Sequence, residues 1–168
     1  VDDQFRRLFA ATGTERVGSL PARKIADLPS VGPNTRFLVA QPFLGDTARA
    51  LEDRGAVRLD ALFPFGAEGT TDWLHAAAQA FGVDEMLFRS VVAPGRERAA
   101  RALEKVRRAL EGKSIFFFPD SQLEVPLARF LSRELGMVPL EVGTPYLHRV
   151  HLNKELALLP SSTVLSEG

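Results

Sequence analysis

The 168-residue chain contains no cysteine. A disulfide framework, a cysteine-ligated zinc or iron–sulfur site and a cysteine nucleophile are all excluded within this stretch. An excess of one charge is lacking too, since Lys plus Arg and Asp plus Glu number 21 each. That balance gives no long-range positive field, so neither nucleic acid nor an anionic bilayer is expected as a partner. No apolar run approaches a membrane span and no charged-then-apolar leader opens the sequence, so a cytoplasmic location is expected. What remains is ordinary for a globular protein: 45% hydrophobic and 25% charged residues, enough for one domain or for pieces of two.

Two stretches share one pattern, residues 36–66 and 114–145. Each reads as an apolar strand, a turn with proline, an amphipathic helix closed by glycine, and a second apolar strand. Gly55 and Gly136 stand where a helix end wants a left-handed residue. The first strands, Phe37 to Ala40 and Ile115 to Phe118, are continuously apolar, which suits parallel strands covered on both faces. Strand, helix and strand in that order predict right-handed βαβ crossovers. The expected fold class is therefore α/β, with parallel sheets flanked by helices.

The flanking segments read as helices. "VDDQFRRLFAATG" carries Phe5, Leu8, Phe9 and Thr12 on one face and stops at Gly13. "GTTDWLHAAAQAFG" is expected to start at Thr70 or Thr71 and to stop at Gly82. "VDEMLFRSVV" should break at Pro94, and a further helix follows with Ala99, Leu103, Val106 and Leu110 at helical spacing. The expected organisation is one α/β domain over 1–93 lacking its first strand, a connecting helix over 94–112, and the beginning of a second domain over 113–168. "STVLSEG" reads as a terminal strand, and both ends look cut from a longer chain.

The stretch "GKSIFFFPDSQLE" runs an apolar strand into an acid and a serine. Ser121 and Glu124 have the spacing of a capping box, with Asp120 favourable at the same helix end. Capping is sufficient to explain them. In parallel α/β sheets, however, ligands bind beyond the carboxyl ends of the strands. Asp120, Ser121 and Gln122 stand at such an end, as do Gln41, Pro42 and Phe43 in the first copy. Both readings stay open.

Other candidates carry less. Gly66 and Gly69, between a strand and a helix, offer free N–H groups to a phosphate, yet no full dinucleotide fingerprint or P-loop lysine accompanies them. His148 and His151 in "HRVH" lack the usual metal partners and are expected at the surface or facing a partner. His75 is expected to be packed or half exposed. The basic run Arg96, Arg98, Arg101, Lys105, Arg107 and Arg108 reads as a solvated face, with Arg101 paired to Glu97 and Arg108 to Glu104.

"FPFGAEGTTDWLHAAAQAFGV" and "GKSIFFFPDSQLEVPLARFLSRELGM" resemble the nitrogenase component 1 superfamily, and within it the N-subunit family of light-independent protochlorophyllide reductases. The likeness rests on Gly, Thr, Asp and an aromatic opening a helix, Gly69 to Trp73, and on Gly112 and Lys113 before a strand ending in Asp120. "VGPNTRFLVAQPFLGDT" and "LALLPSSTVLSEG" extend it over nearly everything from about residue 30. The resemblance implies Rossmann-like domains around a central cavity, with parts of two of them here. It implies an oxidoreductase that reduces a ring double bond of protochlorophyllide to chlorophyllide for (bacterio)chlorophyll synthesis, this stretch alone being inactive. An ATP-hydrolysing iron–sulfur protein, subunit L, would supply electrons to a [4Fe–4S] cluster held between the N- and B-type subunits of a heterotetramer. The family's cluster ligands are cysteines of another domain, so no catalytic, cofactor or metal residue is carried over. In the nitrogenase α chain a cysteine holding the metal cofactor ends the strand corresponding to Phe37–Ala40; Gln41 stands near that position. The implied cavity residues are Gln41, Phe43, Asp120, Ser121 and Gln122. The alternatives are a stand-alone nucleotide or small-ligand module using Gly66 and Gly69, a subunit of the related chlorophyllide reductase, and an interaction domain docking through the Arg96–Arg108 helix.

Overall fold

The computed structural model describes residues 2–14 and 17–168. Helix α1 (Asp2–Ala11) lays Phe5 and Phe9 against the indole of Trp73, with ring centroids 4.6 and 5.6 Å away. The first βαβ unit follows: β1 (Arg36–Phe37), α2 (Gly45–Glu52) and β2 (Val57–Arg58), the strands pairing in parallel. Gly55 closes α2 at φ +87°, a backbone shape open to glycine without a Cβ penalty.

The strand expected through Ala40 stops at Phe37, and a side chain is the reason. Leu59 N–H donates to the Phe37 carbonyl, but the next acceptor along, the Val39 carbonyl, takes the Trp73 indole N–H at 3.0 Å. Leu38 and Ala40 pack on the apolar cluster around Trp73 while Val39 packs on the cluster around Phe63. The segment thus joins two cores instead of extending a ladder.

Helix α3 (Gly66–Ala80) begins at Gly66 and not at Thr70 or Thr71. Helix α4 (Glu85–Leu110), capped by Asp84 accepting from Leu87 N–H at 3.0 Å, runs unbroken through Pro94. The expected break is absent because the carbonyl that Pro94 cannot serve, that of Ser90, belongs to an exposed residue, so solvent can satisfy it. One helix therefore replaces the two read from the sequence. Trp73, Leu74, Ala77 and Ala78 of α3, Phe88 and Val92 of α4 and Phe9 of α1 form the first core.

The second unit holds β3 (Ser114–Phe117), α5 (Glu124–Leu135), β4 (Val138–Thr144), α6 (Asn153–Ala157) and β5 (Val164–Glu167), in the parallel order β3-β4-β5. Successive right-handed crossovers stepping in one direction place their helices on one face. Val125 and Ala128 of α5, Val142 of β4, Leu152 and Phe63 make the second core there. The opposite face is bare. Phe116, Phe118, Leu140 and Val164 are 45%, 78%, 54% and 58% exposed, so the expectation of cover on both faces fails for this sheet. Phe116 and Phe118 instead stack edge to face at 4.8 Å. Among the described residues no helix is long and apolar enough to cross a membrane.

Candidate functional site

The carboxyl ends of the strands carry the polar chemistry. After β3, the Glu124 carboxylate accepts from Asp120 N–H at 2.8 Å and Ser121 N–H at 2.7 Å. The serine hydroxyl reaches Leu123 N–H at 3.4 Å, so the capping box forms firmly in its carboxylate half and loosely in the other. Asp120 is exposed, and Ser121 and Gln122 are half-buried. Gln122 holds φ +65°, a left-handed strain of order 1–3 kcal/mol that such turns retain only where their surroundings enforce it. Glu124 Oε2 and the hydroxyl of Thr144, at the end of β4, are buried without a hydrogen-bond partner.

After β1 the chain turns through one 3-10 turn, Pro42–Leu44, with Pro42 buried and Gln41 and Phe43 exposed. No hydrogen bond joins this turn to Asp120–Gln122 among the described residues. One tie between the first unit and the second comes from the connection leaving β4. His151, only 6% exposed, accepts from Arg58 Nη1 through Nδ1 at 2.5 Å, and its carbonyl accepts from Nη2 at 3.3 Å. Its ring lies 5.4 Å from Phe63 and 5.6 Å from His148. His148 Nδ1 accepts from His151 N–H at 3.2 Å, and Tyr146 stacks on His148 at 5.8 Å. Burial, with the Arg58 and His148 charges, pulls the His151 pKa down from 6.5 to about 4, so the ring is neutral.

The surface position expected for His151 is therefore wrong. Local sequence carries no signal for its burial, because its partner Arg58, at the end of β2, lies 93 residues away. No group of three His, Cys, Asp or Glu suited to a metal occurs among the described residues.

The glycine turn before α3 is already filled. Both oxygens of Glu134, from α5, accept from Ala67 N–H at 2.8 Å and Glu68 N–H at 3.1 Å. A Cβ on Gly66 would collide with that carboxylate and with the Phe130 ring, and one on Gly69 with the Phe63 carbonyl and Arg129. The helix start that could have held a phosphate holds the protein's own anion, which removes the stand-alone nucleotide module. Behind it, Arg129 is fully buried. Its Nε donates to Glu155 at 2.5 Å and its Nη2 to the Phe65 and Phe63 carbonyls at 3.0 and 3.3 Å. Glu155, 1% exposed, also accepts from Phe63 N–H at 2.7 Å; burial pushes its pKa up, opposed by Arg129. Hydrogen bonds from Arg133 hold the Glu68 pKa below its usual range.

On α4 the expected pairs form, Arg101 with Glu97 at 3.8 Å and Arg108 with Glu104. His75 is 32% exposed and bonded to Glu85 at 3.0 Å. The groove between α3, α4 and α5, about 1140 Å³, is lined by both signs of charge and carries no distinct chemistry.

The family model of nitrogenase component 1 type oxidoreductase matches residues 3–166. Over all 168 residues the chain is 70% identical to light-independent protochlorophyllide reductase subunit N of Rhodospirillum rubrum. It is 67% identical to the protein of the same name of Rubrivivax gelatinosus and 64% to that of Rhodopseudomonas palustris strain BisA53. The match covers 38% of the first protein and 39% of the others, so the chain spans about two fifths of their length. A solved structure, "Nitrogenase Cp1 at pH 6.5", is similar with a TM-score of 0.65 at 20% identity, over 99% of this chain and 41% of that one. That likeness concerns the fold, parallel sheets flanked by helices.

Proposed function

The chain belongs to the nitrogenase component 1 type oxidoreductases, and from that premise we propose that it is a stretch of the N subunit of a light-independent protochlorophyllide reductase. The observation that carries the reading is end-to-end identity of 59–70% over all 168 residues to proteins of that name. In this reading the whole enzyme reduces one ring double bond of protochlorophyllide. The N subunit pairs with a B-type companion in a heterotetramer, and an ATP-hydrolysing iron–sulfur protein, subunit L, delivers the electrons. In this reading the units before and after helix α4 (Glu85–Leu110) belong to two Rossmann-like domains, the first half of that helix packing in the core of the first.

The residues present do not fit an iron–sulfur cluster. The chain has no cysteine, and no metal-sized acid or histidine group occurs among the described residues. A [4Fe–4S] cluster would be held by other parts of the assembly, and no electron-transfer step is assigned to this stretch. Its role is to form cavity wall. Gln41, Phe43 and the Asp120–Gln122 turn offer amide, aromatic and carboxyl groups to a large, mostly apolar pigment. Their place at the carboxyl ends of parallel strands supports this, because ligands of such sheets lie there.

A chimera tests the reading. The Rhodospirillum rubrum N subunit, with its matching stretch replaced by these 168 residues, is assembled with its own partners. It should convert protochlorophyllide in the dark with ATP, followed by the absorbance of chlorophyllide. An assembled chimera that converts none overturns the assignment. Preferential turnover of chlorophyllide would move it to the related reductase.

A further inference from the structure

Resting on the cavity-wall reading, we propose that the connection leaving β4 is a further part of that wall, with His148 donating a hydrogen bond to an oxygen on the rim of the pigment and Tyr146 packing against its ring system. The connection starts at the carboxyl end of β4, after Thr144. By His151 it has reached the carboxyl end of β2, where both Nη atoms of Arg58 meet that residue. It therefore spans from the carboxyl end of one parallel sheet to that of the other, the side on which such sheets bind ligands.

Its side chains are sorted by face. Leu147 packs on the core around Phe63, Leu152 belongs to that core, and His151 is buried. Tyr146 and Val150 are exposed. The backbone between them is tied down, since Leu152 N–H donates to the His148 carbonyl at 2.9 Å and His151 N–H to His148 Nδ1 at 3.2 Å. Large apolar groups held outward on an anchored segment, at the ligand end of two sheets, make a preformed contact surface.

His148 adds a directed polar group. A backbone N–H only donates, so Nδ1 holds a lone pair and, in the neutral ring, Nε2 carries the proton. The ring is half-buried, and among the described residues this Nε2–H has no acceptor. It cannot turn inward without breaking the bond from His151 N–H. A protonated ring nitrogen offers no lone pair to a metal at a pigment's centre. It suits an acceptor oxygen, which protochlorophyllide carries at its rim as carboxylate, ester and ketone. Tyr146 stands edge to face with the same ring, centroids 5.8 Å apart. Aromatic surface and donor thus lie side by side, as a flat macrocycle with a polar rim requires.

The test measures binding of protochlorophyllide to the assembled chimera without ATP, so that turnover does not enter, by the fluorescence of the pigment. His148→Asn keeps an acceptor for His151 N–H near the Nδ1 position and removes the outer donor. His148→Gln restores an N–H near Nε2. The Asn variant should raise Kd about 5- to 10-fold and the Gln variant should recover part of the loss. Tyr146→Ala, at an exposed side chain, should raise Kd at least about 3-fold with the melting temperature unchanged, and it decides the case if the Asn variant does not assemble. The methyl ester of the pigment finds the acceptor: a cost of His148→Asn that disappears with the ester assigns the carboxylate, and one that persists assigns a ketone or ester oxygen. Equal losses in the Asn and Gln variants would overturn the donor role. Should His148→Asn and Tyr146→Ala leave Kd unchanged while Gln41→Ala and Phe43→Ala raise it, the connection is not wall and this inference falls while the cavity-wall reading stands. Should all four leave it unchanged, both fall.

Discussion

Replacing Arg129 by methionine should loosen the joint between the two sheets far more than any surface change. Arg129 and Glu155 are 0% and 1% exposed and 2.5 Å apart. Removing one partner of such a pair leaves the other charge buried, which costs about 3–5 kcal/mol. The Phe63 and Phe65 carbonyls lose their guanidinium donor as well, and methionine recovers only volume. Glu155 limits the loss by taking up a proton, a change its burial already favours. The readout is local. Phe63 N–H rests on Glu155 at 2.7 Å, so its hydrogen exchange in the chimeric protein should quicken by roughly two to nearly four orders of magnitude, at 1.4 kcal/mol per tenfold. Adding Glu155→Gln to Arg129→Met should restore part of the protection, since a buried pair removed together costs less than a pair broken. An effect of Arg129→Met under about tenfold, or strict additivity of the two changes, would refute the claim that this ion pair fastens the two units.

Acid should act through His151. Its folded pKa of about 4 lies below the ordinary 6.5, so the stability tied to its neutral form is intact above pH 6.5 and lost as pH falls through 4. At 1.36 kcal/mol per pKa unit that is ~3 kcal/mol; denaturation of the chimera across that window should be flatter for His151→Phe. Glu68, held below the ordinary 4.5 by Arg133, adds loss in the same direction at lower pH. Gly66→Ala must fit a methyl at φ +69° against the Glu134 carboxylate, and should cost at least about 2 kcal/mol in a urea titration. Phe118→Lys, at a side chain 78% exposed on the bare sheet face, should lower self-association of the isolated stretch in sedimentation velocity without loss of helix content.

What the sequence disclosed was local. Helix ends at Gly55 and Gly136, parallel crossovers, the face of α1 that meets Trp73 and the i,i+4 pairs on α4 each follow from residues within a turn or a strand of one another. What it concealed depends on distant partners. Helix α3 starts at Gly66 because Glu134 arrives from α5 to bind Ala67 and Glu68, 67 and 66 residues away. β1 ends early because the Trp73 indole claims a carbonyl 34 residues upstream. His151 is buried because Arg58 reaches it. Pro94 deceived for the opposite reason: a strong local rule gave way because solvent could serve the carbonyl it left free. Of the candidate site, the strand-end turns were legible from the order of strand and helix. The His151–Arg58 link between units was not.

The segment Gly69 to Trp73, on which the family resemblance rests, bears on where chemistry can lie. Gly69 admits Arg129 and the Phe63 carbonyl, which a Cβ would exclude. Thr71 bonds the Ala67 carbonyl at 2.7 Å. Asp72 accepts from Leu62 N–H at 2.7 Å and from Lys154 at 3.4 Å. Trp73 holds the Val39 carbonyl. Each of these side chains is engaged with protein, and two of their partners, Val39 and Leu62, lie on the segments that leave β1 (Arg36–Phe37) and β2 (Val57–Arg58). Groups so occupied are not free to meet a substrate. They instead fix the heights at which the two strands end, and hence where Gln41 and the Arg58–His151 link stand. In this chain the pattern that marks the family thus supports the segments leaving the two strands, and on the cavity-wall proposal the side chains that meet the pigment belong to the turns beyond them.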